Sequence, residues 1–200
     1  MIDYRLFADA IDHYEKLWFQ RIEAPWLVTT EISDITKPAN ASTYIVQKSN
    51  ESKQKAFVAS GEQSFLYLIN KGFLPTSGTY QTVTPCLRND QFDETHTKYF
   101  MKLELIKYDT SKALSAIKDA EVQSMVNVAL TFFQNYLPKN ELRVITTIGH
   151  NKDGEYTEYD ILYDNVELGS YGYRTCLFCD WVYGTGLAEP RFSRLQTRRK

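Results

Sequence analysis

The sequence predicts an α+β fold, a mostly antiparallel six- to seven-stranded sheet flanked by helices on one face. Three observations lead there. Strand-like segments come as hairpins in runs, with helical segments between the runs rather than in a strand-by-strand βαβ alternation. A long helical pattern over residues 110–138 separates two such runs. No linker-like stretch divides the 200 residues, so a single domain over 1–200 is expected.

Taken in order, residues 4–19 read as an amphipathic helix, with Leu6, Ala10, Tyr14, Leu17 and Trp18 near one face. "IEAPWLV", 22–28, reads as a strand in which Pro25 suits an edge or a strand start. Residues 40–60 form a hairpin pattern around the polar "SNES". "EQSFLYLINKG", 62–72, is a short helix with Leu66 and Ile69 or Leu68 inward and Gly72 at its C-terminus. "TPCLRNDQFDETHTKYFMKLEL", 84–105, is a hairpin whose connection concentrates Arg88, Asp90, Asp93, His96 and Lys98. The long helix follows, capped by Thr110 or Ser111 and ended by Pro138. Strands are expected over 142–149, 156–164 and 166–182, with turns at "NKDG" and "DN". "GTGLAEPRFSRLQTRRK" reads as a glycine turn feeding a terminal helix.

Composition narrows the function classes. Hydrophobic content is 43%, with 14 Tyr and 11 Phe, which gives a globular chain with a real core. The formal net charge of −2 argues against a general nucleic-acid coat. No apolar run approaches the ~20 residues that span a bilayer. The opening "MIDYRLFADAIDHYEK" has acids where a signal peptide has a basic and then an apolar region, so a cytoplasmic protein without membrane partners is expected. Three cysteines make a disulfide framework unexpected. Cys176 and Cys179 in "CLFC" suggest zinc or redox chemistry, but on a continuous strand residues three apart face opposite ways, and zinc needs two further ligands.

Three segments carry a resemblance. The first is the opening helix followed by "FQRIEAPWLV" with Pro25. The second is Arg88 and Asp90, a variable loop, then His96, Phe100 and Glu104. The third is "YDILYDNVELGSYGYR" followed by "YGTGLAEPR", with Gly184, Gly186 and Arg191. In order, these resemble motifs 1, 2 and 3 of the class II aminoacyl-tRNA synthetase and biotin ligase-like core. Asp90 stands where the family has glutamate, and Ala188 where it has a third glycine. The motif 2 spacing resembles the phenylalanyl enzymes. The "VELGS" strand resembles the aspartyl and lysyl subclass and asparagine synthetase A, a relative that works without a tRNA.

The resemblance implies an ATP-dependent ligase that forms an aminoacyl-adenylate with Mg²⁺. Arg88 would hold the α-phosphate and the substrate carboxylate, because a guanidinium grips such oxygens bidentately and keeps its charge. A surface salt bridge to Asp90 or Asp93 is the plain alternative. Phe100 shares a strand face with Lys102 and Glu104, opposite Met101, Leu103 and Leu105. It would be an adenine platform with Arg191 over the other purine face, or else a core residue. Asp90 would meet the adenine amino group and His96 the outer phosphates, unless His96 is a solvated loop residue. Glu104 and Glu167 would share the Mg²⁺. Arg174 would reach the γ-phosphate, or pair across strands with an acid. Ser60, Glu62, Gln63 and Gly169 would line the amino-acid pocket, with Ser60 and the acid beside it serving equally well as a helix cap.

A homodimer is implied through motif 1, where Trp18, Phe19, Trp26 and Leu27 are many large apolar groups for one edge of a monomer. No separate anticodon-binding domain is legible, so tRNA has no dedicated reader. The basic residues Arg194, Arg198, Arg199 and Lys200 suit a solubilising helix end or a phosphate contact. Two function classes therefore stand: a small amino-acid-activating ligase with a non-tRNA or unknown acceptor, and a non-catalytic paralogue that binds nucleotide, amino acid or a partner protein.

Overall fold

The computed structural model describes residues 1–37, 42–46, 54–88, 99–151 and 154–197. Helix α1 (Tyr4–Lys16) is capped by Asp3, whose carboxylate accepts from the Arg5 N–H at 2.9 Å. It turns through Trp18 at φ 70° into the short strand β1 (Gln20–Arg21). Strand β2 (Leu27–Thr29), helix α2 (Thr30–Thr36) and strands β3 (Ile45–Val46) and β4 (Lys55–Phe57) follow. Helix α3 (Gly61–Asn70) leads to the long hairpin β5 (Ser77–Leu87) and β6 (Tyr99–Asp109). After a 3₁₀ turn at Ala113–Ala116 comes α4 (Lys118–Phe133). Strands β7 (Leu142–Asn151), β8 (Gly154–Tyr163), β9 (Val166–Thr175) and β10 (Asp180–Glu189) precede α5 (Arg191–Thr197).

The main sheet has seven strands in the order β1-β5-β6-β10-β9-β8-β7. Every pairing in it is antiparallel except β1 with β5. A small sheet, β2-β4-β3, stands apart. The predicted fold class is therefore the observed one, with one correction: helices cover both faces of the sheet. On one face Leu103, Leu105, Tyr171 and Val182 meet α1, α4 and α5 through Tyr14, Val126, Phe133 and Phe192. On the other, Ile106, Tyr108, Trp181 and Tyr183 meet Phe65, Leu66 and Ile69 of α3 and Ile32 of α2. Period-two alternation along β6 explains both sets at once, since 103 and 105 face one way and 106 and 108 the other.

Several boundaries differ from expectation. Only the end of "IEAPWLV" is strand, and Pro25 lies before it with its carbonyl accepting from the Ser64 hydroxyl at 2.7 Å. Helix α2 directly after it is seven residues long, too short for a visible period. The long helix starts at Lys118, because Ser111 is held in a turn by its N–H to Asp109 at 2.6 Å. Finally, "GTG" is no turn: it lies inside β10, in the middle of the sheet.

Those glycines serve packing. A Cβ on Gly184 would lie 2.8 Å from the Met125 side chain, and one on Gly186 would lie 2.7 Å from the Tyr14 ring. The Tyr14 hydroxyl donates to the Gly186 carbonyl at 2.9 Å, so the ring cannot swing away cheaply. Gly186→Ala is expected to cost about 1–3 kcal/mol, the range for overpacking a filled core. Urea denaturation of the variant measures it, and an unchanged midpoint overturns the packing role. Among the described residues no helix is long and apolar enough to cross a membrane.

Candidate functional site

A cavity of about 330 Å³ opens on the α3 side of the sheet. Its walls come from the β4–α3 turn, the facing ends of β5 and β6, and the middle of β8, β9 and β10. Seven predicted site residues line it: Ser60, Glu62, Gln63, Arg88, Glu104, Glu167 and Arg174. They come from segments far apart in sequence, and the antiparallel register of β6, β10, β9 and β8 is what brings them together.

At one end stands Arg88. Its Nε donates to the Ala59 carbonyl at 3.1 Å and its guanidinium lies 5.2 Å from the centre of the Phe100 ring. The backbone contact fixes the base of a side chain that lines the cavity. The cation over the Phe100 ring in the structure is Arg88. Phe100 is half-buried and belongs to neither apolar cluster, so the core alternative does not describe it.

Beside Arg88, Glu104 is buried and saturated. Its Oε1 accepts from Lys102 Nζ at 2.7 Å and from the Ser60 hydroxyl, and its Oε2 accepts from the Glu62 N–H at 3.2 Å. Burial works to raise this carboxyl, but Lys102, the Ser60 hydroxyl and Arg88 outweigh it and hold the group below its usual range. Ser60 caps α3 as well, accepting from the Glu62 N–H at 3.3 Å. Gln63 pins the same turn, accepting from the Ala59 N–H at 2.9 Å and donating to the Ser33 carbonyl at 3.0 Å.

The other end is built on Arg174. Its Nη1 forks onto Glu62 at 2.8 and 3.1 Å, and its plane lies between the rings of Tyr156 and Tyr183, 4.6 and 4.4 Å from their centres. Nη2 reaches the Tyr156 hydroxyl and, at 3.5 Å, Glu158. Trp181 Nε1 donates to Glu62 at 2.6 Å. Burial raises the Glu62 carboxyl above its usual range even against the pull of Arg174. Arg174 thus pairs with acids, Glu158 across the strands and Glu62 on α3, while still lining the cavity.

Glu167 lines a third side and is held from behind by Arg191, which is not among the lining residues. Arg191 Nη1 donates to the Glu167 carbonyl and to its carboxylate, both at 3.0 Å. Gly169 sits behind the wall, where a Cβ would lie 2.7 Å from Thr185 Cβ, so its contact is with β10 and not with the cavity. Gly184 and Gly186 likewise point into the core under α1 and α4. Asp90 and His96 lie outside the described residues.

Lys102, Tyr156, Glu158, Ser170, Tyr183 and Thr185 also line the cavity and were not singled out from sequence, apart from the face assigned to Lys102. A signal existed for Glu158 and Tyr156: they alternate with Thr157 and Tyr159 along β8, so both share the face that meets Arg174 across β9.

The fit to a divalent cation is partial. Glu104 has both carboxylate oxygens bonded already, and a metal there would have to displace Lys102. Glu167 offers a half-exposed carboxylate beside the cavity. Among the described residues no three or more His, Cys, Asp or Glu cluster as a metal site.

No family model and no curated protein sequence matches the chain. Solved structures do. The cytoplasmic serine–tRNA ligase of Naegleria fowleri, solved with AMP, aligns with a TM-score of 0.71 at 17% identity over 94% of this chain and 51% of its own. The fold is that of class II synthetase cores. Seryl-tRNA synthetase of Pyrococcus horikoshii, solved with ATP, gives 0.69 at 16% identity over 93% of this chain and 48% of its own. A pyrrolysyl-tRNA synthetase from Desulfitobacterium hafniense gives 0.68 at 13% identity over 98% and 68%. This chain thus spans about half the length of the seryl enzymes that share its synthetase fold.

Proposed function

We propose that the protein is an ATP-dependent ligase that activates an amino acid as its adenylate and passes it to a non-tRNA or unknown acceptor. The observation behind this reading is the convergence of Arg88 with the Glu62–Arg174–Glu158 cluster on one cavity. Its lining balances Lys37, Arg88, Lys102 and Arg174 against Glu62, Glu104, Glu158 and Glu167. A lining balanced in charge suits a zwitterion lying beside a polyphosphate.

In the proposed step a substrate carboxylate oxygen attacks the α-phosphorus and pyrophosphate leaves. Arg88 grips the α-phosphate oxygens as their charge grows. Phe100, already under Arg88, offers its ring to the adenine. The ammonium group meets the acids at the Arg174 end, where Glu158 is the more open of the two carboxylates. Mg²⁺, when bound, neutralises phosphate charge, and Glu167 with the phosphate oxygens is the set that would hold it. Arg191 donates to the Glu167 carboxylate and would orient it toward a bound cation. Asparagine synthetase A-like amide formation, with ammonia as acceptor, is one form of this reading.

The test is ATP–pyrophosphate exchange with Mg²⁺ against twenty amino acids, and with aspartate plus ammonia. Exchange stimulated by one amino acid is the expected result. Silence with all of them favours the second reading, a non-catalytic paralogue. One observation leans that way: Lys102, Arg174 and Arg191 are each neutralised internally by an acid.

We further propose a homodimer in the cytoplasm. Trp18 and Trp26 are 88% and 55% exposed, as an interface needs, whereas Phe19 is buried in its own core and adds nothing to that surface. Sedimentation at micromolar concentration is expected to give a dimer mass, and a clean monomer overturns this assembly.

A further inference from the structure

The turn joining β9 to β10 brings two thiols together, away from the cavity just described. The strand reading of "CLFC" put Cys176 and Cys179 on opposite faces. Instead β9 stops at Thr175 and β10 starts at Asp180, so the chain reverses over Leu177 and Phe178. Cys176 and Cys179 then face each other across the hairpin. The Cys176 N–H donates to the Cys179 carbonyl at 2.9 Å, and the two sulfurs are 3.8 Å apart.

The two thiols are unlike. Cys176 is half-buried and Cys179 fully buried. The Cys176 sulfur accepts from the Cys179 thiol first, and, against the opposing effect of burial, from the backbone N–H groups of Phe178 and Cys179, with Lys112 adding positive charge. Its thiol is held down to about 6. Cys179 is pushed the other way by donating to Cys176, by burial and by Asp180. Cys86, the remaining cysteine, is sealed in the core with its thiol pushed up to about 11 by burial.

Cys176 also opens on a cavity of about 640 Å³, lined by Thr29, Tyr67, Asn70, Lys71 and Lys112 among others. Glu31 lines it too and has an interaction of its own in the fold. The cavity is large enough for a small peptide, and the two lysines favour an anionic one. A structural zinc site needs four ligands, and no third His, Cys, Asp or Glu joins this pair among the described residues.

We propose that Cys176 and Cys179 form a dithiol–disulfide exchange site for small anionic disulfides, with Cys176 attacking and Cys179 resolving. The Cys176 thiolate attacks one sulfur of the disulfide, forms a mixed disulfide and releases one thiolate. Cys179 gives up its proton to solvent and attacks Cys176 Sγ, forming the Cys176–Cys179 bond and releasing the second thiolate. The protein loses two electrons and two protons, and the small disulfide becomes two thiols.

Glutathione disulfide is the probe, and intact-protein and peptide mass are the readouts. Wild type is expected to lose two hydrogens, mapped to a 176–179 disulfide. Cys179→Ser is expected to stop at one glutathionyl group on Cys176, and Cys176→Ser to give neither product. In wild type, iodoacetamide should modify Cys176 at a rate that rises through about pH 6. At pH 7 it should modify Cys176 more than about a hundredfold faster than Cys86, the contrast expected between a formed thiolate and a sealed thiol. Equal reactivity of Cys176 and Cys86 overturns the proposal. So does a glutathionyl group left on Cys176 in wild type, or bound zinc that shields both thiols until it is chelated.

Discussion

Arg88→Lys is expected to lower adenylate formation by roughly 10²–10³ while ATP affinity stays within a few fold, as for loss of one preorganised electrostatic donor. The asymmetry follows from when the charge develops. Ground-state ATP already carries its negative charge, and a lysine ammonium satisfies much of that attraction. As pyrophosphate departs, the α-phosphate and the incoming carboxylate must be held together, and only a planar fork spans both. In the structure Arg88 also spends its Nε on the Ala59 carbonyl and its face on Phe100, which aims the rest of the fork. Lysine has neither contact to offer in that form, so aim is lost together with valence. Single-turnover adenylate formation measured beside calorimetric ATP binding separates the two effects. Equal losses in both would place Arg88 in ground-state binding only. An unchanged rate would remove it from the reaction.

The hairpin that holds Arg88 was legible because its alternation is strong: Leu103 and Leu105 go to one face and Lys102 and Glu104 to the other. The seven-stranded class was legible for the same reason along β8, β9 and β10. The helices on the second face were harder to place. Helix α3 was found, but a short helix whose buried set includes Glu62, Gln63 and Ser64 does not announce which side of a sheet it covers. Helix α2 has too few turns to show a period. Ser60, Glu62, Gln63, Arg88, Glu104, Glu167 and Arg174, singled out by residue type, line one cavity, but residue type did not identify their partners. Which acid neutralises Arg174 depends on a contact 112 residues away, set by how α3 packs on β10 and β9. The glycines misled because the "GTG" read as a turn lies inside β10, where Tyr14 and Tyr171 need room. The two thiols were misjudged for want of one turn.

Arg174→Met should be the most destabilising single change in the site, by about 3–5 kcal/mol, the range for removing one partner of a buried ion pair. The side chains of Arg174 and Glu62 are only 11% and 5% exposed, so solvent screens the pair little. Methionine fills much of the slot between Tyr156 and Tyr183 but leaves Glu62 with Trp181 and no charge partner. Glu62 already has its carboxyl raised, by burial before anything else, and without Arg174 it is raised further. For an acid whose folded value lies above its unfolded one, stability is fullest at low pH and is lost as pH rises through the folded value. The deficit of Arg174→Met against wild type is therefore expected to be smaller at pH 5 than at pH 8. Adding Glu62→Gln to Arg174→Met removes the stranded charge, so the double variant should be more stable than Arg174→Met alone. Urea denaturation of the three proteins at both pH values tests this. A deficit independent of pH, with no rescue by Glu62→Gln, would mean that Arg174 contributes through packing between the two tyrosines rather than through its charge.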